Sequence, residues 1–227
     1  DVEGILHWDM STMMPSNSRQ NRANQLAFIA NLKHSLLSDP SVTELISNID
    51  ISQLSKNDLT NFKEMQREYV LLSSLPSDLV EAISKTSALC EGKWQEAKKN
   101  CDFSIVKSSL NELINLSKQE SEILSEKLNC SPYEALIQKY EPYSNVDHIT
   151  KVFQDLEIFL LSSIDKIIEK QKKELALPIK DEFSSFHQHK IAKILMETIG
   201  FDFTKGRLDK SEHPFCGGAT EDVRITT

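Results

Sequence analysis

The chain has 227 residues, of which 39% are hydrophobic and 26% charged. These proportions are ordinary for a globular protein, and the length suffices to bury a sizeable core in one large domain or two small ones. The formal net charge is −8 and the Lys and Arg residues are scattered, so we expect no nucleic-acid partner. Because no apolar run approaches the roughly 20 residues of a membrane span, we expect no membrane partner either.

The amino terminus and the cysteines indicate a cytoplasmic protein. The chain opens with Asp1, Val2 and Glu3 and shows neither the basic segment nor the cleavage site of a signal peptide. Four cysteines are far apart and form no C-x-x-C pair: Cys90, Cys101, Cys130 and Cys216. In a chain of this size that spacing favours reduced thiols over a disulfide framework or a zinc site.

The first half of the chain has a helical pattern. Only six glycines and seven prolines occur, which favours helix over strand. The second predicted helix follows residues 15–18 and carries Leu26, Ile29, Leu32 and Leu36 on one stripe. It ends at Asp39, because a residue before proline is pushed out of the helical region. Two further helices are predicted over 41–48 and 56–73.

The middle of the chain carries capping signals. Ser77 is predicted to cap a long helix towards Lys99, and Asp102 is predicted to cap the next one. Ser131 and Glu134 form a capping box with a first-turn proline between them. The strongest helical pattern covers 145–173, and its apolar stripe consists of Val152, Phe153, Leu156, Phe159, Leu160, Ile164, Ile167 and Ile168.

The pattern changes near the end of the chain. One more helix is predicted over about 181–199, closed by Gly200. Residues 201–203 and 222–226 alternate like strands, with a flexible turn at 216–218 between them. We therefore predict a mainly α fold of about eight to nine helices that ends in a small β-hairpin or edge-strand element. The corresponding division is a helical region, 1–200, and a terminal element, 201–227.

A search for metal-binding and nucleophilic motifs is negative. His187 and His189 are two apart on a predicted helix and point about 200° from each other, so they cannot share an ion. The sequence contains no H-E-x-x-H, no G-x-S-x-G and no P-loop. Cys216 lies three residues from His213, but the intervening Pro214 and the ordinary surroundings argue against a thiol enzyme.

Two clusters of polar and aromatic residues remain. The first consists of 6–9 and 12–15, which packing in a helical core would also explain. The second joins 206–209, 211–215 and 222–226. Its charged groups lie around tight turns and are costly to fix in place unless something binds there. An edge strand with an Arg and a hydroxyl also suits an extended peptide, which adds its backbone to the open edge.

Both clusters match motifs of one family. The sequence resembles the thermostable metallocarboxypeptidase family named after carboxypeptidase Taq, in the family's order and along essentially the whole chain. The most specific match is H-P-F at 213–215 followed by D-x-R-x-T at 222–226. The other matching segments are Leu6-His7-Trp8-Asp9, Thr12-Met13-Met14-Pro15, Gln25-Leu26-Ala27, Trp94, Asp102-Phe103, Tyr133-Glu134-Ala135-Leu136, Tyr140-Glu141-Pro142, Gly200-Phe201-Asp202-Phe203 and Gly206-Arg207-Leu208-Asp209. Met10 and Ser11 depart from the family, which usually carries Gln and Glu there.

The resemblance implies a helical, zincin-like array within a larger two-lobed cleft fold, usually a homodimer. It implies a peptide substrate, from which C-terminal amino acids are removed with zinc or, in some members, cobalt. In the family the metal ligands, an H-E-x-x-H pair and a downstream Glu, follow the D-x-R-x-T strand, and this sequence ends at Thr227. The resemblance therefore assigns no catalytic and no metal residue to the chain. It does imply that the substrate cleft is lined by His213, Asp222, Arg224 and Thr226, although these residues would also serve only to fix the hairpin.

Two functions are compatible with these observations. The chain is the N-terminal part of a metallocarboxypeptidase, inactive by itself, or it is a non-catalytic helical binding or scaffold protein that keeps the family fold. A large exposed apolar face would mark where the rest of an enzyme packs.

Overall fold

The computed structural model of the protein describes residues 1–174 and 183–227. In this part the chain forms nine α-helices and a small sheet at its end, which confirms the predicted mainly α fold. The helices are α1 (Val2–Thr12), α2 (Arg19–Leu37), α3 (Pro40–Ser47), α4 (Lys56–Ser73), α5 (Ser77–Asn100), α6 (Ser104–Leu128), α7 (Pro132–Ile137), α8 (Val146–Gln171) and α9 (Ser185–Thr198). The strands are β1 (Gly206–Asp209), β2 (Cys216–Ala219) and β3 (Asp222–Thr226). Residues 181 and 182 of the last predicted helix lie outside the described residues.

Local hydrogen bonds explain several helix boundaries. The capping box before α7 is confirmed, since the Glu134 N–H donates to Ser131 Oγ and the Ser131 N–H donates to Glu134 Oε2. Two predicted caps are wrong by one position. Ser77 is the first helical residue of α5, because Pro76 takes the extended backbone conformation of the cap. Asp102 lies one residue ahead of the cap of α6, although its side chain still accepts the Ser104 N–H at 2.9 Å.

The core of the first half is built around α5. This helix makes the most extensive contacts, with α2 and with α6. Leu124 of α6 is 1% exposed and packs with buried Leu71, Leu75, Leu79 and Ala135. A second buried cluster joins α1, α2 and α5 through Met10, Ala23, Leu26 and Ala88. Because α1 is held against this scaffold, the aromatic residue Trp8 has a fixed position beside the sheet.

The sheet has the strand order β1-β3-β2. β3 pairs in parallel with β1 and antiparallel with β2, so the D-x-R-x-T segment is the central strand and not an edge strand as predicted. The predicted turn at 216–218 is part of β2. The predicted strand at 201–203 is absent from the described sheet, because Asp202 Oδ1 accepts the N–H and hydroxyl of Thr204 and turns the chain there.

Contacts divide the described residues into two compact units. The first consists of Asp1–Ala135 and Asp202–Thr227, and the second of Leu136–Phe201. The sequence-based division into 1–200 and 201–227 stays a prediction. In the second unit α8 has an apolar stripe but no buried residue; Phe153 is 64% exposed and Phe159 62%. Within the described ranges, no helix has the length and apolar character needed to cross a membrane.

Gly218 has a backbone conformation that residues with a side chain rarely adopt. Its φ is +94°, and an added Cβ would lie 2.1 Å from the carbonyl oxygen of Asp222. We expect Gly218→Ala to lower the free energy of unfolding by about 2 kcal/mol, measured by urea denaturation. The neighbouring Gly217→Ala is the control, because its Cβ would meet nothing within 4 Å. Equal stability of the two variants would contradict this explanation.

Candidate functional site

Thr226 fixes a loop and is itself enclosed. It lies at the end of β3 and is 4% exposed. Its Oγ1 accepts the N–H of Phe215 at 2.9 Å and lies 2.7 Å from Ser211 Oγ. Ser211 Oγ is in turn 2.8 Å from the carbonyl oxygen of His213. The hydroxyl at the end of the D-x-R-x-T segment therefore holds the loop 211–215, which contains H-P-F, against the central strand.

Arg224 forms a two-point ion pair with Asp222 on the same strand. Its Nε donates to Asp222 Oδ1 at 2.6 Å and its Nη2 to Oδ2 at 2.8 Å. The guanidinium carbon lies 4.3 Å from the centroid of the Trp8 ring, a cation–π distance. These hydrogen bonds hold the pKa of Asp222 below its usual value, against a smaller opposing effect of burial. The pair is thus ionised and in contact with α1.

A second, similar pair lies on β1. Arg207 donates from Nε and Nη2 to the two carboxylate oxygens of Asp209, both at 2.7 Å, and its guanidinium is 4.8 Å from the Trp8 ring. The indole N–H of Trp8 donates to Asp209 Oδ2 at 3.1 Å. Burial raises the pKa of Asp209, but the bonds and charge of Arg207, the Trp8 bond and the charge of Arg224 outweigh it and lower the pKa. We call Trp8, Arg207, Asp209, Asp222 and Arg224 the Trp8 cluster.

The two sequence clusters therefore meet in space. Trp8 comes from the first and the four charged residues come from the second, although about 200 residues separate them. Asp9, which neighbours Trp8 in the motif, pairs instead with Arg22 at 2.6 Å. Every member of the Trp8 cluster lies in one of the two clusters predicted from the sequence. Their contact was not predicted, because no pattern along the chain encodes it.

His213 is not a member of the Trp8 cluster and lies on the wall of a cleft of about 430 Å³. It is exposed, and its ring meets that of Trp94 edge to face with centroids 6.4 Å apart. Lys98 of α5 donates to the carbonyl oxygen of Glu212, and its ammonium lies 5.3 Å from the centroid of the Trp94 ring. The lining of the cleft also includes His7, Ser11, Glu91 and Phe215. Lys98 and Glu91 were not predicted, since single charged residues on a helix carry no signal.

The four predicted site residues thus have different positions. His213 borders the cleft, Asp222 and Arg224 form a half-buried ion pair, and Thr226 is buried in the loop attachment. A metal centre does not fit the residues present: within 1–174 and 183–227 no three His, Cys, Asp or Glu side chains are grouped to hold an ion. All four cysteines are free, and burial raises the pKa of the Cys90 thiol.

The acid dependence of stability tests the Asp209 interactions. Because the folded-state pKa lies below the unfolded value of about 3.9, the ionised form stabilises the fold. This stabilisation is fully present above the unfolded pKa and is lost as pH falls through the folded one. We expect Asp209→Asn to be less stable than the wild-type protein at pH 7, with the difference shrinking below about pH 4. Urea denaturation across this pH range measures it.

A matched control for that experiment is Asp165→Asn, an exposed carboxyl on α8. The free energy of unfolding of Asp165→Asn should stay close to that of the wild-type protein at every pH. A difference for Asp209→Asn that stays constant from pH 7 to pH 2 would show that its carboxylate charge does not contribute.

Known proteins resemble this chain over its whole length. The sequence profile of the family described as carboxypeptidase Taq (M32) metallopeptidase matches residues 1–227. The thermostable carboxypeptidase 1 of Thermus thermophilus is 28% identical, over 97% of this chain and 46% of its own length. The thermostable carboxypeptidase 1 of Pyrococcus furiosus is also 28% identical, over 100% of this chain and 46% of its own. The chain spans about half the length of the curated relatives it matches.

Solved structures agree with this result. Trypanosoma cruzi metallocarboxypeptidase 1 superposes with a TM-score of 0.79 and is 31% identical to the chain. The alignment covers 100% of this chain and 46% of that one. The whole described fold, sheet included, is thus shared with part of a larger protein.

Proposed function

Since the chain belongs to the carboxypeptidase Taq (M32) family of metallopeptidases, we propose that it forms part of a metal-dependent carboxypeptidase that releases C-terminal amino acids from peptides. The chain would supply the helical body and one wall of the peptide-binding cleft. The observation that carries this proposal is the match of the family profile to all 227 residues. The meeting of the H-P-F loop, the D-x-R-x-T strand and α1 supports it, because these are the segments by which the sequence resembles the family.

We propose that the metal ligands are residues that do not belong to this chain. Within the described part no group of side chains fits an ion, and none of the 227 residues belongs to an H-E-x-x-H motif. The relatives have about as much sequence again in which ligands can lie. We propose zinc or cobalt as the ion, on the family resemblance. The 227-residue chain alone would then neither bind a catalytic ion nor hydrolyse peptides.

Each site residue has a proposed role that follows from its surroundings. His213, exposed on the wall of the cleft, would contact the peptide directly. Arg224 would donate a hydrogen bond to the peptide backbone while Asp222 holds its guanidinium. Thr226 is enclosed, so its part in substrate binding is indirect, through the position of the loop 211–215.

The exposed apolar stripe of α8 suits an interface with a further part of the protein. All eight residues of the stripe are at least 42% exposed, with Phe153 at 64% and Phe159 at 62%. Side chains of this size normally lie in an interface when they form a continuous surface. We propose that the rest of the enzyme covers this stripe. Assembly as a homodimer and a location in the cytoplasm complete the proposal, the latter supported by four free cysteines.

We keep a non-catalytic binding or scaffold protein with the family fold as the alternative function. The exposed apolar stripe of α8 fits it as well, because such a surface would also bind a partner protein. Such a protein would bind peptides or partners without cleaving them. The two functions differ in a single property, the release of amino acids.

Product analysis tests the proposal. The protein, at the length its gene encodes, is incubated with a defined peptide, and the products are identified by mass spectrometry with and without a metal chelator. We expect a ladder of peptides shortened from the C-terminus, abolished by the chelator and restored by zinc or cobalt. Intact peptide with every metal would support the scaffold function. Stoichiometric, tight zinc binding by the 227-residue chain alone would refute the assignment of the ligands to other residues.

A further inference from the structure

Two arginines of the Trp8 cluster are direct neighbours across the sheet. Arg207 of β1 and Arg224 of β3 are register partners in a parallel pair, so their side chains leave the same face. Like charges at such positions repel each other. Asp209 and Asp222, each two residues along the same strand, compensate this repulsion with two-point ion pairs.

Trp8 contacts both guanidinium groups. They lie 4.8 and 4.3 Å from its ring centroid, and the indole N–H is bonded to Asp209. Trp8 is 8% exposed and the Arg224 side chain 16%, so their contact is largely removed from water. A tryptophan face is the strongest aromatic partner for a cation, and desolvation strengthens the attraction. One ring therefore contacts two guanidinium groups of like charge.

The hydrogen bonds of Arg224 leave one nitrogen available. Nε and Nη2 are bonded to Asp222, whereas Nη1 has no hydrogen-bond partner among the described residues. A guanidinium presents its donors in a fixed plane. When Asp222 holds one edge and an aromatic ring holds one face, the direction of the remaining N–H groups is set.

We infer that Trp8 is a positioning residue for peptide binding: its indole orients the Arg224 guanidinium so that Nη1 donates to a peptide carbonyl. This inference rests on the proposed function. It gives the Trp-Asp motif of α1 a role at the sheet, although Trp8 itself touches no substrate. The competing explanation is that Trp8 only ties α1 to the sheet.

Steady-state kinetics of the protein at its encoded length separate the two explanations. Trp8→Leu removes the ring, whereas Trp8→Phe keeps an aromatic face and loses only the indole N–H. We expect KM for a tripeptide to rise about tenfold in Trp8→Leu and about threefold in Trp8→Phe, with kcat within about twofold of the wild-type value in both.

The rise in KM caused by Trp8→Leu must also depend on Arg224. In an Arg224→Lys background, Trp8→Leu should raise KM by less than about twofold, because the group that it orients is gone. The same tenfold rise in both backgrounds would overturn the inference and leave Trp8 as a structural tether. If Trp8→Leu does not fold, the same cycle is run with Trp8→Phe.

A measurement independent of catalysis completes the test. Ring currents of Trp8 should shift the Nε–H resonance of Arg224 in arginine-labelled protein, and Trp8→Leu should remove this shift. Trialanine should shift the same resonance, and Trp8→Leu should need about tenfold more trialanine than the wild-type protein for the same shift. Phe28→Leu is the control, because it also removes an aromatic ring but at a side chain of α2 that is 66% exposed and lies outside the Trp8 cluster. The inference is overturned if Trp8→Leu leaves the Nε–H resonance of Arg224 unchanged, or if trialanine leaves it unchanged. If trialanine shifts it while no peptide is cleaved, the carboxypeptidase function fails and the positioning role stands.

Discussion

Replacing Thr226 by valine is expected to lower the free energy of unfolding by about 3 kcal/mol. Valine has nearly the same shape, so the change removes only the hydroxyl. The half-buried N–H of Phe215 then loses its acceptor, and the Ser211 hydroxyl keeps only its contact with the carbonyl oxygen of His213. A polar group left without a partner costs about 1–3 kcal/mol, and the lost contact of Ser211 adds to the cost of the Phe215 N–H. Urea denaturation of the purified chain measures the difference.

Thr226→Ser is the matched control for this prediction. It keeps the hydroxyl and removes a methyl group, so we expect a loss of about 1 kcal/mol from the smaller buried area. In the proposed carboxypeptidase, Thr226→Val should also raise KM, since the loop that carries His213 then keeps only its backbone hydrogen bonds to the end of β3 and Thr227. If valine and serine destabilise equally, the hydroxyl bonds do not hold the loop.

Truncation of Leu124 should destabilise the helical body most strongly. Its side chain is 1% exposed and packs against residues of α4, α5 and the start of α7. We expect Leu124→Ala to lower the free energy of unfolding by about 3–4 kcal/mol, through lost apolar burial and the cavity left behind. The measurement is again the midpoint and slope of urea denaturation.

The corresponding control is Leu36→Ala, which makes the same chemical change on α2 at a side chain that is 64% exposed. Its effect should stay within about 0.5 kcal/mol. A similar loss at both positions would mean that packing around Leu124 does not determine stability.

Local signals predicted most of the helices. The bounds of α4, Lys56–Ser73, agree with the prediction at both ends, and the capping box of Ser131 and Glu134 is present as expected. In these cases the determining contacts join residues three or four apart, so the pattern along the chain contains them. The amphipathic pattern of α8 was also evident, but a stripe does not reveal what covers it.

The sheet was harder to predict because its contacts are not local. Cys216-Gly217-Gly218 has turn-forming composition, yet it is a strand, since β3 lies alongside and pairs with it through backbone hydrogen bonds. The parallel pairing of β1 with β3 has no sequence signal, which is why the sequence predicts an edge strand at this position. The contact of Trp8 with Arg224 likewise depends on how α1 packs against the sheet. Motif matching identified these residues, and only the fold shows that they are in contact.

Native mass spectrometry of the protein isolated from its own cells tests whether this chain is part of a metallocarboxypeptidase, because one spectrum reports chain length and bound metal. We expect protomers of about twice 25.8 kDa, in keeping with the 46% coverage of relatives, each carrying one divalent ion. A protomer of 25.8 kDa without metal would contradict this expectation and would make a non-catalytic scaffold the better description of this chain.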